Sequence, residues 1–194
     1  MLNPQFHQFA ATGQIPYPPH PNLESQAIQH ANSVYRAAIF AGQFSKLLAW
    51  ISRKPDHLID GSQIKSGQVM VRSKAGVQPV PIQRIVGSLG RSHDFNSAFQ
   101  PLSDTNRNRW VNIATLKLLG VSLPPVELVQ IREAYFVIDG HHRISVARAL
   151  GQDTIDANVT VWHVIGQLAW EKPTVKPAFK KPAGLSISQS SGTN

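Results

Sequence analysis

The sequence predicts an α+β protein in which a small folded domain follows a helical extension. Hydrophobic residues make up 42% of the 194 residues, which is enough for a packed core. Between residues 79 and 166, short apolar runs typical of strands alternate with two stretches of helical periodicity. Residues 22–55 carry apolar positions at helical spacing over a longer stretch. We therefore expect one domain of ordinary size with extensions.

The predicted helical extension precedes a glycine-containing segment. Asn22 is a suitable N-cap for a helix that runs to about Arg53, and Gly42 is a point at which this helix could divide. The apolar stripe of the helix should pack on the domain or on a second copy in a homodimer; it comprises Ile28, Ala31, Tyr35, Ala38, Ile39, Leu47, Leu48 and Ile51. Residues 56–78 contain three glycines and scattered charges, and we interpret them as a connector.

Strands and helices within the domain are predicted from periodicity and turn residues. Pro81 places the first strand at a sheet edge or at its own start, because proline donates no ladder hydrogen bond. The second helix begins at Ser103 or Asp104 and closes at Gly120. The predicted strands are residues 80–86, 126–131, 135–138 and 158–164, of which the middle two form a hairpin.

The two ends of the sequence are predicted to be disordered. Residues 1–21 contain five prolines, and proline at that density blocks helix and sheet. Residues 167–194 are rich in Lys, Pro and Ser and poor in apolar residues.

One stretch, residues 135–151, combines an apolar strand, a turn at Asp139 and Gly140, and a helix that ends at Gly151. His141, His142 and Arg143 follow the turn and so stand at the helix N-terminus. Backbone N–H groups and the helix dipole favour an anion at such a position. The stretch therefore predicts a phosphate-binding turn.

Phosphate capture is the favoured interpretation of this turn. Gly140 would let a ligand approach the backbone closely, and the amides of His141 to Arg143 would point outward. Arg143 could fork onto phosphate oxygens through charge-assisted hydrogen bonds. Asp139 could hold Mg²⁺ or accept a proton from an attacking hydroxyl.

Three other interpretations remain open. A metal site is disfavoured because adjacent histidines point about 100° apart on a helix, and only the tertiary fold could bring His93, Asp94 or His163 in to complete it. A Ser145–histidine–Asp139 triad lacks the strained turn that exposes a nucleophile. In a purely structural interpretation, Asp139 caps the helix, one histidine packs in the core, and Arg143 pairs with an acid.

The charge of the chain lies mainly outside the predicted domain. The net charge is +8, but residues 79–166 carry eight Lys/Arg and seven Asp/Glu, a net of +1. Residues 1–78 carry seven against three and residues 167–194 four against one, so these segments carry +4 and +3. Basic extensions can hold DNA without sequence preference. We therefore expect a small anionic ligand in the domain and, as a further prediction, DNA at the flanks.

The location of the protein is predicted to be cytoplasmic. The sequence contains no cysteine, which fits a reducing compartment and excludes thiolate chemistry. It shows no signal-peptide pattern and no stretch of about 20 apolar residues, so we expect no membrane partner.

Residues 80–91 and 135–151 together resemble the ParB/sulfiredoxin superfamily, in which an early strand and arginine-containing turn pair with a later strand–Gly–x–x–Arg–helix box. Ile138 to Arg143 aligns with the F-G-G-C-H-R box of sulfiredoxins and places His141 where their cysteine stands. The D-G-H-H-R box of ParB-like free-serine kinases matches residues 139–143 throughout. The resemblance covers less than half of the chain and implies a small mixed-sheet domain that binds a nucleotide.

The resemblance also implies roles for individual residues. Gly140, His141, His142 and Arg143 would cradle the phosphates of ATP, ADP or CTP, with or without Mg²⁺. Arg91 would stand on the opposite lip of the site, and Asp139 and His142 are the candidate catalytic residues.

Departures from the family patterns narrow the predicted activity. The absence of cysteine excludes sulfiredoxin chemistry. No helix-turn-helix region and no E-N-x-x-R motif follow the box, so the DNA-reading parts of partition proteins are not recognisable. A DNA-associated or regulatory nucleotide-binding protein is the leading prediction, and a small-molecule kinase, another nucleotide hydrolase or a non-catalytic DNA-binding protein are the alternatives.

Overall fold

The structure, a computed structural model, describes residues 21–53, 55–64, 68–90, 93–168 and 170–171. These residues form three α-helices and six strands, an α+β fold as the sequence predicts. The helices are α1 (Pro21–Ser52), α2 (Arg107–Leu118) and α3 (His141–Ala149). The strands are β1 (Ile59–Asp60), β2 (Val69–Pro81), β3 (Ile85–Ser88), β4 (Val126–Ile131), β5 (Ala134–Asp139) and β6 (Thr154–Val164).

The six strands form one mixed sheet in the order β1-β3-β5-β4-β6-β2. Strands β1, β3 and β5 are parallel neighbours, and β4 is antiparallel to β5 and parallel to β6. Strand β2 closes the far edge, antiparallel to β6. Helix α3 connects β5 to β6 across β4, and this connection brings the α3 N-terminus to the end of β5.

Alternating residues of β4 and β5 bury both faces of the sheet. Leu128 and Val137 belong to the core beneath α3, together with Ile144 of that helix. Val129 and Phe136 point to the opposite face, where they pack with Leu168. A separate helical cluster joins α1, α2 and α3; its buried members are Ala31, Tyr35, Trp110, Val111, Ala114 and Val146.

The predicted connector, residues 56–78, is wrong as a description of secondary structure. It contains β1, a 3-10 turn at Gly61–Gln63 and most of β2. Most β2 side chains are exposed, so the strand lacks the apolar alternation that reveals strands in a sequence. Its ladder with β6 supplies the backbone pairing, and Gly76, at φ +80°, accompanies a register shift.

Helix α1 is continuous through Gly42, contrary to the division that the sequence allows there. A Cβ atom at this position would lie 2.6 Å from the carbonyl oxygen of Pro101. The glycine therefore serves close packing of α1 on the domain. The helix begins at Pro21, which is the last residue of the predicted leader at residues 1–21, and residues 1–20 lie outside the described residues.

Other element boundaries also differ from the predictions. Residues 104–106 form a 3-10 turn before α2, and Asp104 in this turn accepts a hydrogen bond from Tyr35. The first predicted strand is interrupted by a 3-10 turn at Ile82–Arg84, and the last begins at Thr154. Pro81 lies at the end of the edge strand β2, as its missing N–H requires.

The chain just after Gly166 packs on the sheet, so the predicted disorder of residues 167–194 is wrong at its start. Leu168 is buried, and the Trp170 ring lies 4.9 Å from the ring of Phe136. Glu171 pairs with Arg132. Two large apolar side chains close together gain enough from burial to hold this segment on the sheet. Residues 172–194 lie outside the described part of the chain.

Candidate functional site

Gly140 connects β5 to α3 in a conformation that suits glycine. Its φ is +101°, and a Cβ atom there would lie 2.5 Å from Cγ1 of Val126. No side-chain hydrogen bond caps the helix, so the predicted capping by Asp139 is wrong. The first intrahelical hydrogen bond runs from the amide of Ile144 to the carbonyl of Gly140. The amides of residues 141–143 therefore lie in the first turn of the helix, before this bond.

The two histidines are held around one aromatic ring. His141 stacks on Phe95 at a ring distance of 6.2 Å and an interplanar angle of 12°. His142 meets the same ring edge-on, at 5.2 Å and 74°. Both imidazoles are buried, so a single phenyl ring fixes the orientation of both at the helix start.

Ser88 ties His141 to the end of β3. The Oγ of Ser88 lies 2.7 Å from Nε2 of His141, and both residues are buried. The same Oγ accepts a hydrogen bond from the amide of Gly90 at 3.0 Å. The loop after β3 is therefore coupled to the His141 ring by hydrogen bonds in a buried setting.

Arg143 is engaged by protein groups on several sides. It pairs with Asp139 at 2.6 Å and donates to the carbonyl oxygens of Pro124 and Pro125 at 2.5 and 2.8 Å. Burial lowers the pKa of Arg143, Asp139 acts in the opposite direction, and the charge of Arg109 lowers it further. Arg143 therefore clamps the 124–125 segment to the helix start, and two positive charges lie close together here.

A cavity of about 370 Å³ opens beside the start of α3, and we call it the α3 cavity. Helix α2 contributes Arg109 and Ile113, which share a helix face at i, i+4 spacing. Within the described part of the chain, Arg109 forms no ion pair. The remaining lining residues are Gly90, Asp94, Phe95, Ile138, Asp139, Gly140, His141, His142 and Arg143.

The structure brings most of the predicted site residues to this cavity. Asp139, Gly140, His141, His142 and Arg143 all line it, and their binding and catalytic roles stay predictions. Arg91, the predicted residue of the opposite lip, lies outside the described residues.

Sequence reasoning missed Arg109 and Phe95 as members of the cavity and considered Asp94 only for a metal site. Arg109 is adjacent to Trp110, whose indole is buried and donates to Ser145 of α3 at 2.8 Å. An arginine beside a buried aromatic residue on a helix was the available signal. It could not be used, because nothing in the sequence says that α2 packs on α3.

The described residues contain neither a cluster of potential metal ligands nor a membrane-spanning helix. No group of three or more His, Asp or Glu side chains there is placed to hold a metal ion. None of the helices there has the length and apolar character needed to cross a membrane.

Comparison with known proteins gives a partial structural likeness. No protein-family model matches the chain, and no curated protein matches it. Among solved structures, sulfiredoxin from Arabidopsis thaliana is similar over 43% of this chain and 82% of its own, with 18% identity and a TM-score of 0.32. A likeness at that level concerns the arrangement of elements in less than half of the chain and says nothing of activity. The chain is an α+β protein with an N-terminal helix.

Proposed function

We propose that this protein is a ParB-like nucleotide-binding protein whose α3 cavity receives the phosphate groups. The observation that carries the proposal is the opening of the α3 N-terminus into a cavity of about 370 Å³ that also contains Arg109. Cavities of this size are typical of small-molecule sites. A helix N-terminus with a nearby guanidinium combines backbone donors and positive charge, which is the chemistry that phosphate requires.

Arg109 is the residue that we assign to direct phosphate contact. Arg143 already pairs with Asp139 and donates to two carbonyl groups, so its remaining capacity for a ligand is small. Arg109 is exposed and has no ion-pair partner among the described residues. In this arrangement Arg143 holds residues 124–125 at the start of α3 and adds positive charge, while Arg109 donates the hydrogen bonds to the ligand.

A nucleotide that arrives with Mg²⁺ would find a carboxylate in the same cavity. Mg²⁺ is usually held by one or two carboxylates together with substrate phosphates. Asp94 lines the cavity and forms no ion pair among the described residues, whereas Asp139 is engaged by Arg143. Asp94 is therefore the residue that would hold the ion.

A thermal-shift panel with ATP, ADP, CTP and GTP in the presence of Mg²⁺ tests the proposal. At a ligand concentration of 100 times Kd, binding should add about 2.7 kcal/mol to the free energy of unfolding. For a chain of this size, the midpoint should rise by roughly 5–10 °C. The proposal fails if none of the four nucleotides raises the midpoint.

Arg109→Ala is the informative variant, because an exposed side chain without an ion pair can be removed at little cost to folding. We expect its unliganded midpoint to stay within about 2 °C of the parent and its nucleotide-induced shift to fall to about half of the parent's or less. Lys74→Ala, which removes one positive charge from the exposed part of β2, is the matched control and should keep the full shift. Equal shifts in both variants would contradict the assignment of Arg109.

A further inference from the structure

Helix α1 presents two apolar faces on opposite sides. The inner face packs on the domain: Tyr35 is buried and donates to Asp104 at 2.9 Å, and Gly42 lies against Pro101. Near its C-terminal end, the helix is fixed by a hydrogen bond from Ser45 to Asp56. The helix is thus held on the domain between Tyr35 and Ser45, and its outer face is presented at a defined position.

The outer face of the C-terminal half carries large apolar side chains. Phe40, Phe44, Leu47 and Ile51 follow one another at intervals of four, three and four residues, so they line one side of the helix. Leu48 and Trp50 flank this line, and we call the six residues the outer stripe. Their exposed fractions are 70% for Phe40, 52% for Phe44, 50% for Leu47, 49% for Leu48, 78% for Trp50 and 64% for Ile51.

The outer stripe is large for a surface that stays in water. An aromatic side chain offers about 150–250 Å² when fully buried, and the stripe contains three that are more than half exposed. With its three aliphatic members, the stripe presents roughly 600–800 Å² of apolar area. The largest apolar patch of a typical monomer is about 300–600 Å², and a stable interface takes about 800 Å² from each partner.

The spacing of the outer stripe is self-complementary when two copies of α1 pack antiparallel. Intervals of four, three and four residues read the same in both directions, so two antiparallel helices place Phe40 opposite Ile51 and Phe44 opposite Leu47 of the partner. An interface on a two-fold axis requires this self-complementarity. The pairing sets an aromatic against an aliphatic side chain at each position and opposes the two helix dipoles.

The charges of α1 favour a protein partner over a lipid surface. Lys46, the charged residue within the stripe's span, lies about 130° from the centre of the stripe. Helices that lie on membranes carry a dense Lys/Arg face beside their apolar one, which α1 does not have. We propose that the outer stripe is the interface of a homodimer in which two α1 helices pack antiparallel.

Sedimentation equilibrium of the full chain tests this proposal. The parent protein should have twice the chain mass of 21.3 kDa at micromolar concentrations. Phe44→Glu and Leu47→Glu should each weaken dimerisation more than 100-fold, because each buries an unpaired charge in the pairing. Val77→Glu, which changes a 64% exposed apolar residue of β2, is the control and should remain dimeric.

The absence of cysteine allows a second measurement of the same geometry. When chains with Phe44→Cys alone are mixed with chains with Leu47→Cys alone, oxidation should link one chain of each kind, and Val77→Cys chains should not link. The proposal would be overturned if the parent protein stayed monomeric at a concentration about 50 times higher than the micromolar one at which it should dimerise. A dimer that persists in both glutamate variants would overturn it too. A monomer that binds anionic vesicles through Phe44 and Leu47 would overturn it as well, by assigning the stripe to a membrane.

Discussion

Gly140 sets the path of the chain into the α3 cavity. Its positive φ turns the backbone from β5 into α3, and its missing side chain leaves room for Val126. Two separate costs would follow from any Cβ atom here, one from the backbone conformation and one from the contact. The position therefore shapes both the core beneath α3 and the start of the helix.

Gly140→Ala should lower the free energy of unfolding by about 3 kcal/mol or more, measured by urea denaturation. Gly151→Ala is the matched control: φ is +71° there, but no atom lies within 4 Å of the added Cβ. It should cost about 1 kcal/mol, from the backbone alone. Equal costs for the two variants would show that the contact with Val126 is unimportant.

The sequence predicted the residues of the helix start better than their individual contacts. Strand, turn and helix lie where the apolar pattern and Gly151 place them, because these signals are local. The partners of Arg143 and the position of Arg109 depend on the packing of α2 and of residues 124–125 against α3. Contacts between distant segments leave no periodic trace in one sequence.

Among the elements, α1 depends on a small polar cluster at its C-terminal end. Asp56 accepts hydrogen bonds from Ser45, Ser97 and Asn96 and so connects the helix to the loop that carries Phe95. Partial burial raises the pKa of Asp56, but these hydrogen bonds outweigh it and hold the pKa below the ordinary value of 3.8.

Asp56→Asn should lower the free energy of unfolding by about 2 kcal/mol at pH 7, because the charged acceptor is lost. The folded-state pKa lies below 3.8, so the contribution of the carboxylate is full above about pH 5 and is lost as the pH falls through the folded-state pKa. Urea denaturation at pH 7 and pH 3 should show the difference between parent and variant shrinking at the lower pH. The control is Glu133→Gln, in a surface ion pair with Arg84, which should lower the free energy of unfolding by at most about 1 kcal/mol. If the destabilisation by Asp56→Asn were the same at both pH values, the stabilising role of the Asp56 carboxylate would be contradicted.

Strand β2 shows why part of the fold escaped prediction. Hydrogen bonds to β6 stabilise it, and most of its side chains face water, so its composition resembles that of a connector. The hairpin of β4 and β5 was found correctly because its strands alternate between two buried faces. Burial leaves a pattern in sequence, whereas backbone pairing at a sheet edge does not.

At the scale of the whole molecule, the α3 cavity and the outer stripe are separate features. The cavity lies at the meeting of β5, α2 and α3, and the stripe lies on the face of α1 that points away from the domain. Loss of dimerisation would therefore leave the phosphate-binding proposal intact, and loss of nucleotide binding would leave the dimer intact. The DNA-binding and phosphotransfer activities considered from the sequence stay predictions.

Nucleotide binding at the α3 cavity can be followed residue by residue by titrating ¹⁵N-labelled protein with ATP and with CTP, each with Mg²⁺, and recording amide chemical shifts. We expect the amides of residues 140–143 to shift most and to saturate with the nucleotide, and Arg109→Ala to weaken binding at least 10-fold, about 1.4 kcal/mol. Binding of either nucleotide that leaves these four amides unchanged, or no response to both, would contradict the proposal.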